Sequence, residues 1–135
     1  MIVLDCSAAV DMSRGTPEGH ALMSLMIPEE EVIAPHLLQC EAANALWKYV
    51  HAGHMSKEEA SDCLANALSL VTEFRDMRAL LPEVFAESIR LDHPAYDLFY
   101  FVLARRNDAT MYTLDKKLIT LCEEHGVDCV HPVEI

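Results

Sequence analysis

Short apolar runs alternating with longer amphipathic stretches constrain this chain more than any other feature. Residues 2–4 (IVL), 31–34 (EVIA), 71–76 (VTEFRD), 110–114 (TMYTL) and 127–130 (VDCV) read as strands. Helical patterns lie between them. Residues 17–27 open on Pro17, which suits a first helical turn. Residues 36–52 carry apolar side chains at three-and-four spacing, and Gly53 stops them. Ser56 and Glu59 form a capping box for a helix reaching Leu70. Residues 82–89 predict another helix, His93-Pro94 opens one that ends near Asn107, and residues 116–125 predict the last, closed by Gly126. The alternation predicts a three-layer α/β fold: a central, mostly parallel twisted sheet of 4–5 strands with helices on both faces. Its ligand site should lie beyond the carboxyl ends of the strands.

A chain of 135 residues predicts one domain over residues 1–135. No apolar run nears the ~20 residues that span a bilayer. The opening MIVLDC has no basic segment, so the expected location is cytoplasmic. The cysteines are Cys6, Cys40, Cys63, Cys122 and Cys129; they form no CxxC pair and read mostly as small core hydrophobes in a reducing compartment. His51 with His54 and Cys129 with His131 lack the matching second half of a zinc site.

Asp97 stands alone in the apolar stretch AYDLFYFVLA. A buried, unpaired carboxylate costs several kcal/mol. The plainest explanation is that Asp97 caps or flanks a helix start. Three other acids suggest more. Asp5 and Asp115 each directly follow a predicted strand, and Glu41, like Asp97, falls in the first turns of a helix. In a parallel α/β layout all four converge on one rim. Anions gathered this way repel one another. A hard divalent cation, Mg²⁺ or Mn²⁺, relieves that repulsion and supports phosphodiester hydrolysis by activating a water. Ser7 and Thr113, each two residues from an acid, are placed either to hold a carboxylate or water, or to make local turn and strand bonds. Asp11, Asp92 and Asp108 are expected outside this group, Asp11 exposed on the first helix, Asp92 as a helix cap and Asp108 in a turn. Tyr96 and Phe99 are expected to face the core, as are Leu46, Trp47 and Tyr49, with an interface as the alternative for that helix.

The net charge of −12 excludes a module that grips nucleic acid with Lys and Arg alone. Metal ions, or a small patch drawn from Arg14, Lys48, Arg105, Arg106, Lys116 and Lys117, must supply positive charge locally. A basic protein partner also suits so acidic a chain.

The segments VLDCSA, CEAANALWK, HPAYDLFYFVLARR and TMYTLDKKL resemble, in order and spacing, the acidic motifs of PIN-domain proteins. They are most similar to VapC-type toxins of prokaryotic toxin–antitoxin pairs, across essentially the whole chain. The resemblance implies a Mg²⁺- or Mn²⁺-dependent endoribonuclease acting on single-stranded or looped RNA. It implies that Asp5, Glu41, Asp97 and Asp115 are the catalytic, metal-binding quartet. Asn44 matches a polar position common in the family, and Ser7 and Thr113 fit its strand-end hydroxyls. It further implies a homodimer, and a small antitoxin whose C-terminal segment places a basic side chain in the acidic pocket. A PIN-like binding domain without nuclease activity is the alternative. A haloacid-dehalogenase-type phosphatase would want a second Asp where Ser7 stands, and a phospho-accepting receiver domain would want adjacent acids after the first strand.

Overall fold

Strands and helices alternate throughout the computed structural model, which describes residues 1–132. In chain order the elements are β1 (Ile2–Leu4), α1 (Cys6–Arg14), α2 (Pro17–Met23), β2 (Val32–Pro35), α3 (Leu37–His51), α4 (Lys57–Ser69), β3 (Glu73–Arg75), α5 (Met77–Leu91), α6 (Ala95–Asn107), β4 (Thr110–Tyr112), α7 (Lys116–Glu124) and β5 (Cys129–Val130). The strands form one parallel sheet in the order β3-β2-β1-β4-β5. β1 and β2 are buried along their whole length, as their unbroken apolar runs require of strands covered on both faces.

The strand order positions the site. The chain moves outward from β1 to β2 and β3, then returns to the other flank of β1 with β4 and β5. That reversal opens a crevice at the carboxyl ends of β1 and β4, where open α/β sheets hold their ligands. Register is tight there: Ile2, Val3 and Leu4 pair with Thr110, Met111 and Tyr112.

Helix α6 explains the apolar stretch around Asp97. Leu98 through Ala104 are all buried, because the helix lies against β1, β2 and β4 and between α5 and α7. A helix covered on every side carries apolar residues all round.

Several sequence expectations need correction. α5 begins at Met77, well before Pro82, because the Asp76 side chain accepts a 2.9 Å hydrogen bond from the Arg78 amide and caps it there. Pro82 lies inside the helix at an exposed position. Tyr96 is 65% exposed and Trp47 57%, so neither belongs to the core. Trp47 stacks instead on His51 across one helical turn. Phe99 and Leu46 are buried as expected. Cys40 is exposed rather than buried, whereas Cys63 and Cys122 are core residues. Asp92 closes the C-terminus of α5 in a left-handed conformation (φ 49°), and Asp108 closes α6 in the same way.

Helices α1 and α2 meet at Gly19. A Cβ at that position would lie 2.1 Å from the Asp11 carbonyl oxygen, so only glycine permits the approach. No helix among the described residues is long and apolar enough to cross a membrane.

Candidate active site

All the strands point their carboxyl ends at one rim, and the residue after β1, β2 or β3 there opens a helix. Asp5 is that residue for β1. Its amide donates to the Tyr112 carbonyl at 3.2 Å, which seats it between β1 and β4. Its carboxylate caps α1: Oδ1 accepts the Ala8 amide at 2.9 Å and the Ser7 hydroxyl at 2.8 Å. The other oxygen accepts the Thr113 hydroxyl at 2.6 Å. Both hydroxyls are themselves anchored. Ser7 Oγ accepts the Leu114 amide at 2.9 Å, and Thr113 Oγ1 accepts the Asp115 amide at 3.0 Å. Two chain segments 108 residues apart are thus joined through one buried carboxylate.

Asp5 pays for that position in acidity. Burial raises its pKa to about 7, and the Asp115 charge adds to the rise, against the pull of the Thr113, Ala8 and Ser7 hydrogen bonds.

Asp115 lies three residues beyond β4, past Thr113 and Leu114, and caps α7, its Oδ1 accepting the Lys117 amide at 2.9 Å. Glu41 projects from α3 and accepts the Tyr100 hydroxyl at 2.6 Å. Asp97 flanks the start of α6 as the acid of its first turn, but makes no cap bond there. The His93 imidazole lies beside it, with Nε2 3.8 Å from Oδ2.

Electrostatics ties the four acids together. Burial raises the pKa of Glu41, and the charges of Asp97 and Asp115 raise it further. Asp97 is raised by burial and by Asp115, with His93 and Lys117 opposing. Each carboxylate therefore feels at least one of the others across the rim. The Asp115 charge acts on all three of the others, yet the four form no closed cage: among the described residues, no three His, Cys, Asp or Glu side chains converge as a ready-made ligand set. All four offer hard oxygen donors, and their net repulsion suits a hard divalent cation.

Asn44 is exposed one turn beyond Glu41. With Cys6, Glu41, Ala45, Lys48 and Tyr49 it lines a groove of about 440 Å³, and Glu41 is the one of the four acids on its wall. Arg105 and Arg106 lie elsewhere: they pair with Glu83 and Glu87 of α5.

Tyr100 escaped sequence reasoning. It reads as one more apolar residue of α6, and it is buried. Its position three residues after Asp97 was the available signal, since that spacing puts both on one helix face. A buried phenol also needs a hydrogen-bond partner, and Glu41 supplies it.

No protein-family profile matches the chain. Comparison with individual proteins is informative. Ribonuclease VapC1 of Mycobacterium tuberculosis is 30% identical over 118 residues, covering 86% of each chain. Ribonuclease VapC3 of Pyrobaculum aerophilum is 26% identical over 116 residues, covering 75% of this chain and 88% of its own. Among solved structures, PAE2754 from P. aerophilum superposes with a TM-score of 0.71 at 25% identity, covering 88% of this chain and 84% of that one. VapC20 of M. tuberculosis, described as a sarcin–ricin loop cleaving toxin, gives 0.68 at 20% identity, with 98% and 100% covered, and so shares the fold. Together, the parallel five-stranded sheet and this identity along most of the chain show that the protein belongs to the VapC-type family of PIN-domain proteins.

Proposed function

We propose that this protein is a Mg²⁺- or Mn²⁺-dependent endoribonuclease, the cytoplasmic toxin of a VapBC-type toxin–antitoxin pair. The observation that carries the proposal is the buried Asp5 carboxylate, gripped by Ser7 and Thr113, with the Asp115 charge acting on Asp5, Glu41 and Asp97 alike. In this reading those four acids hold the cation. When bound, it lowers the pKa of water and neutralises charge on the scissile phosphate. The chain's own residues do the positioning: Ser7 and Thr113 fix the Asp5 oxygens, and Tyr100 fixes Glu41. Asn44 stands one turn from Glu41, at the mouth of the groove.

The test is incubation of the purified protein with a panel of RNAs, with and without Mg²⁺ or Mn²⁺, followed by mapping of the new ends. Cleavage that requires metal and stops with chelator is expected. Intact RNA under every condition would refute the reading.

A binding domain without activity is distinguished by melting. Mn²⁺ raises the melting temperature of a working site by mass action, and Asp97→Asn abolishes that gain. A domain that only binds melts alike with and without metal.

Tyr100→Phe removes one hydroxyl and leaves the ring in place. The expected result is a folded protein whose cleavage rate falls about 10–100-fold, as when a ligand loses its supporting hydrogen bond. Steady-state kinetics against circular dichroism checks it.

The family's homodimer and basic inhibitory partner belong to the same proposal. Leu81, Phe85 and Ile89, four residues apart on α5, form an exposed apolar stripe suited to self-association. Phe85→Asp should convert the dimer to a monomer on size-exclusion chromatography with light scattering. The net charge of −12 suits a basic antitoxin segment.

A further inference from the structure

The cations of this chain divide by type. Every arginine is engaged with an acid: Arg14 with Asp11, Arg75 with Glu31 and Glu73, Arg78 with Asp76, Arg90 with Glu87, and Arg105 and Arg106 with Glu83. Lys48, Lys57, Lys116 and Lys117 are exposed and form no ion pair among the described residues. On a molecule of net charge −12 a polyphosphate strand is repelled over most of the surface. It can approach the carboxylate rim only where unspent positive charge lies beside it.

Two such places exist. Lys48 lines the groove that opens onto Glu41, on the same face of α3 as Glu41, Asn44 and Ala45. The seven residues from Glu41 to Lys48 rise about 10 Å along α3, so Lys48 stands about two turns from Glu41, nearer a flanking phosphate than one held at the acids. On the opposite side Lys117 lies in the first turn of α7, its amide donating to Asp115 Oδ1 at 2.9 Å, and its charge reaches Asp97. Arg14 stiffens the far end of the groove, over the Tyr49 ring at 4.2 Å and donating to its hydroxyl at 2.9 Å.

We propose that the groove beside Glu41 is a subsite for the phosphodiester backbone of a nucleotide flanking the cleaved bond, with Lys48 as its phosphate contact and Lys117 as the matching contact across the carboxylates. This rests on the ribonuclease reading above and adds the path of the strand. Both lysines are positioning residues.

The experiment measures Mn²⁺-dependent cleavage of a fluorophore-labelled, random-sequence single-stranded RNA over a NaCl series, for the full chain and for Lys48→Glu, Lys117→Glu, Lys48→Arg and Lys57→Glu. Lys48→Glu and Lys117→Glu are expected to raise KM about tenfold each with kcat nearly unchanged. Each should flatten the dependence of log KM on log salt by about 0.7, the share of one single-strand phosphate contact. Lys48→Arg should keep the wild-type KM, and Lys57→Glu, which alters an equally free lysine outside the groove, should behave as wild type. Melting temperatures should not move. If Lys48→Glu matches Lys57→Glu in KM and salt slope while the wild type cleaves, the subsite is wrong and the nuclease reading stands. A wild type that cleaves no RNA overturns both.

Discussion

Asp5→Asn should reduce metal-dependent RNA cleavage about a thousandfold or more and, without metal, raise the melting temperature at pH 8. Both effects come from one carboxylate. The loss of activity follows from removing the most buried of the four acids and the charge a cation would meet. The gain in stability follows from linkage. Burial raises the Asp5 pKa from 3.8 to about 7 in the folded protein. A raised carboxylate favours the folded state while protonated, and that contribution is lost as pH rises through the folded value. About three units correspond to roughly 4 kcal/mol between pH 4 and pH 8. Glu41 and Asp97 shift in the same direction. Asparagine keeps an oxygen for the Ala8 amide and the Ser7 hydroxyl, and turns its amide toward Thr113 without the charge.

Metal-free wild type should therefore melt lower at pH 8 than at pH 5, and Asp5→Asn should flatten that slope. On the acid side Glu87 works the other way. The Arg90 and Arg105 guanidiniums hold its pKa down at about 2, so its contribution is present at neutral pH and fades as pH falls toward that value. Thermal melts over pH 3–9 in chelator check both limbs. An Asp5→Asn protein that loses activity because it no longer folds would mark Asp5 as a helix cap alone.

Gly19→Ala should be the most damaging single methyl group that can be added to this chain. The new Cβ would meet Asp11 backbone atoms at 2.1 and 2.3 Å and the Met12 amide nitrogen at 2.6 Å. No side chain can swing aside, so α1 and α2 must separate. Overpacking typically costs 1–3 kcal/mol, and a clash with backbone belongs at or above the top of that range, about 3 kcal/mol. Gly53→Ala is the control. Its Cβ meets nothing, but its φ of +78° strains any other residue, by about 1 kcal/mol. Urea denaturation of both variants should separate them clearly. Equal midpoints would show that the α1–α2 contact is loose.

Much of this architecture is readable from residues alone, and the reasons differ by element. Asp5 and Asp115 are legible because each follows an apolar run directly, and a parallel sheet leaves only one rim for such residues. Glu41 and Asp97 follow from the helix after the turn. What escapes is set by tertiary contact. Tyr100 looks like core until Glu41 is found beside it. Trp47 and Tyr96 have core chemistry, yet their positions on α3 and α6 face outward. The start of α5 was hidden because Pro82 resembles a first-turn proline, while Asp76, an ordinary surface acid, makes the cap. The resemblance to PIN-domain proteins agrees with the family that the comparisons establish.

The bond between Thr113 and Asp5 also has a bearing on synthesis. β1 is the middle strand of the finished sheet, and its β4 neighbour is synthesised more than a hundred residues after it. Until then β1 lacks one flank, and Asp5 lacks both the Thr113 hydroxyl and the company of Asp115. The proposed site is therefore complete only once β4 and Asp115 have been made and have folded against β1.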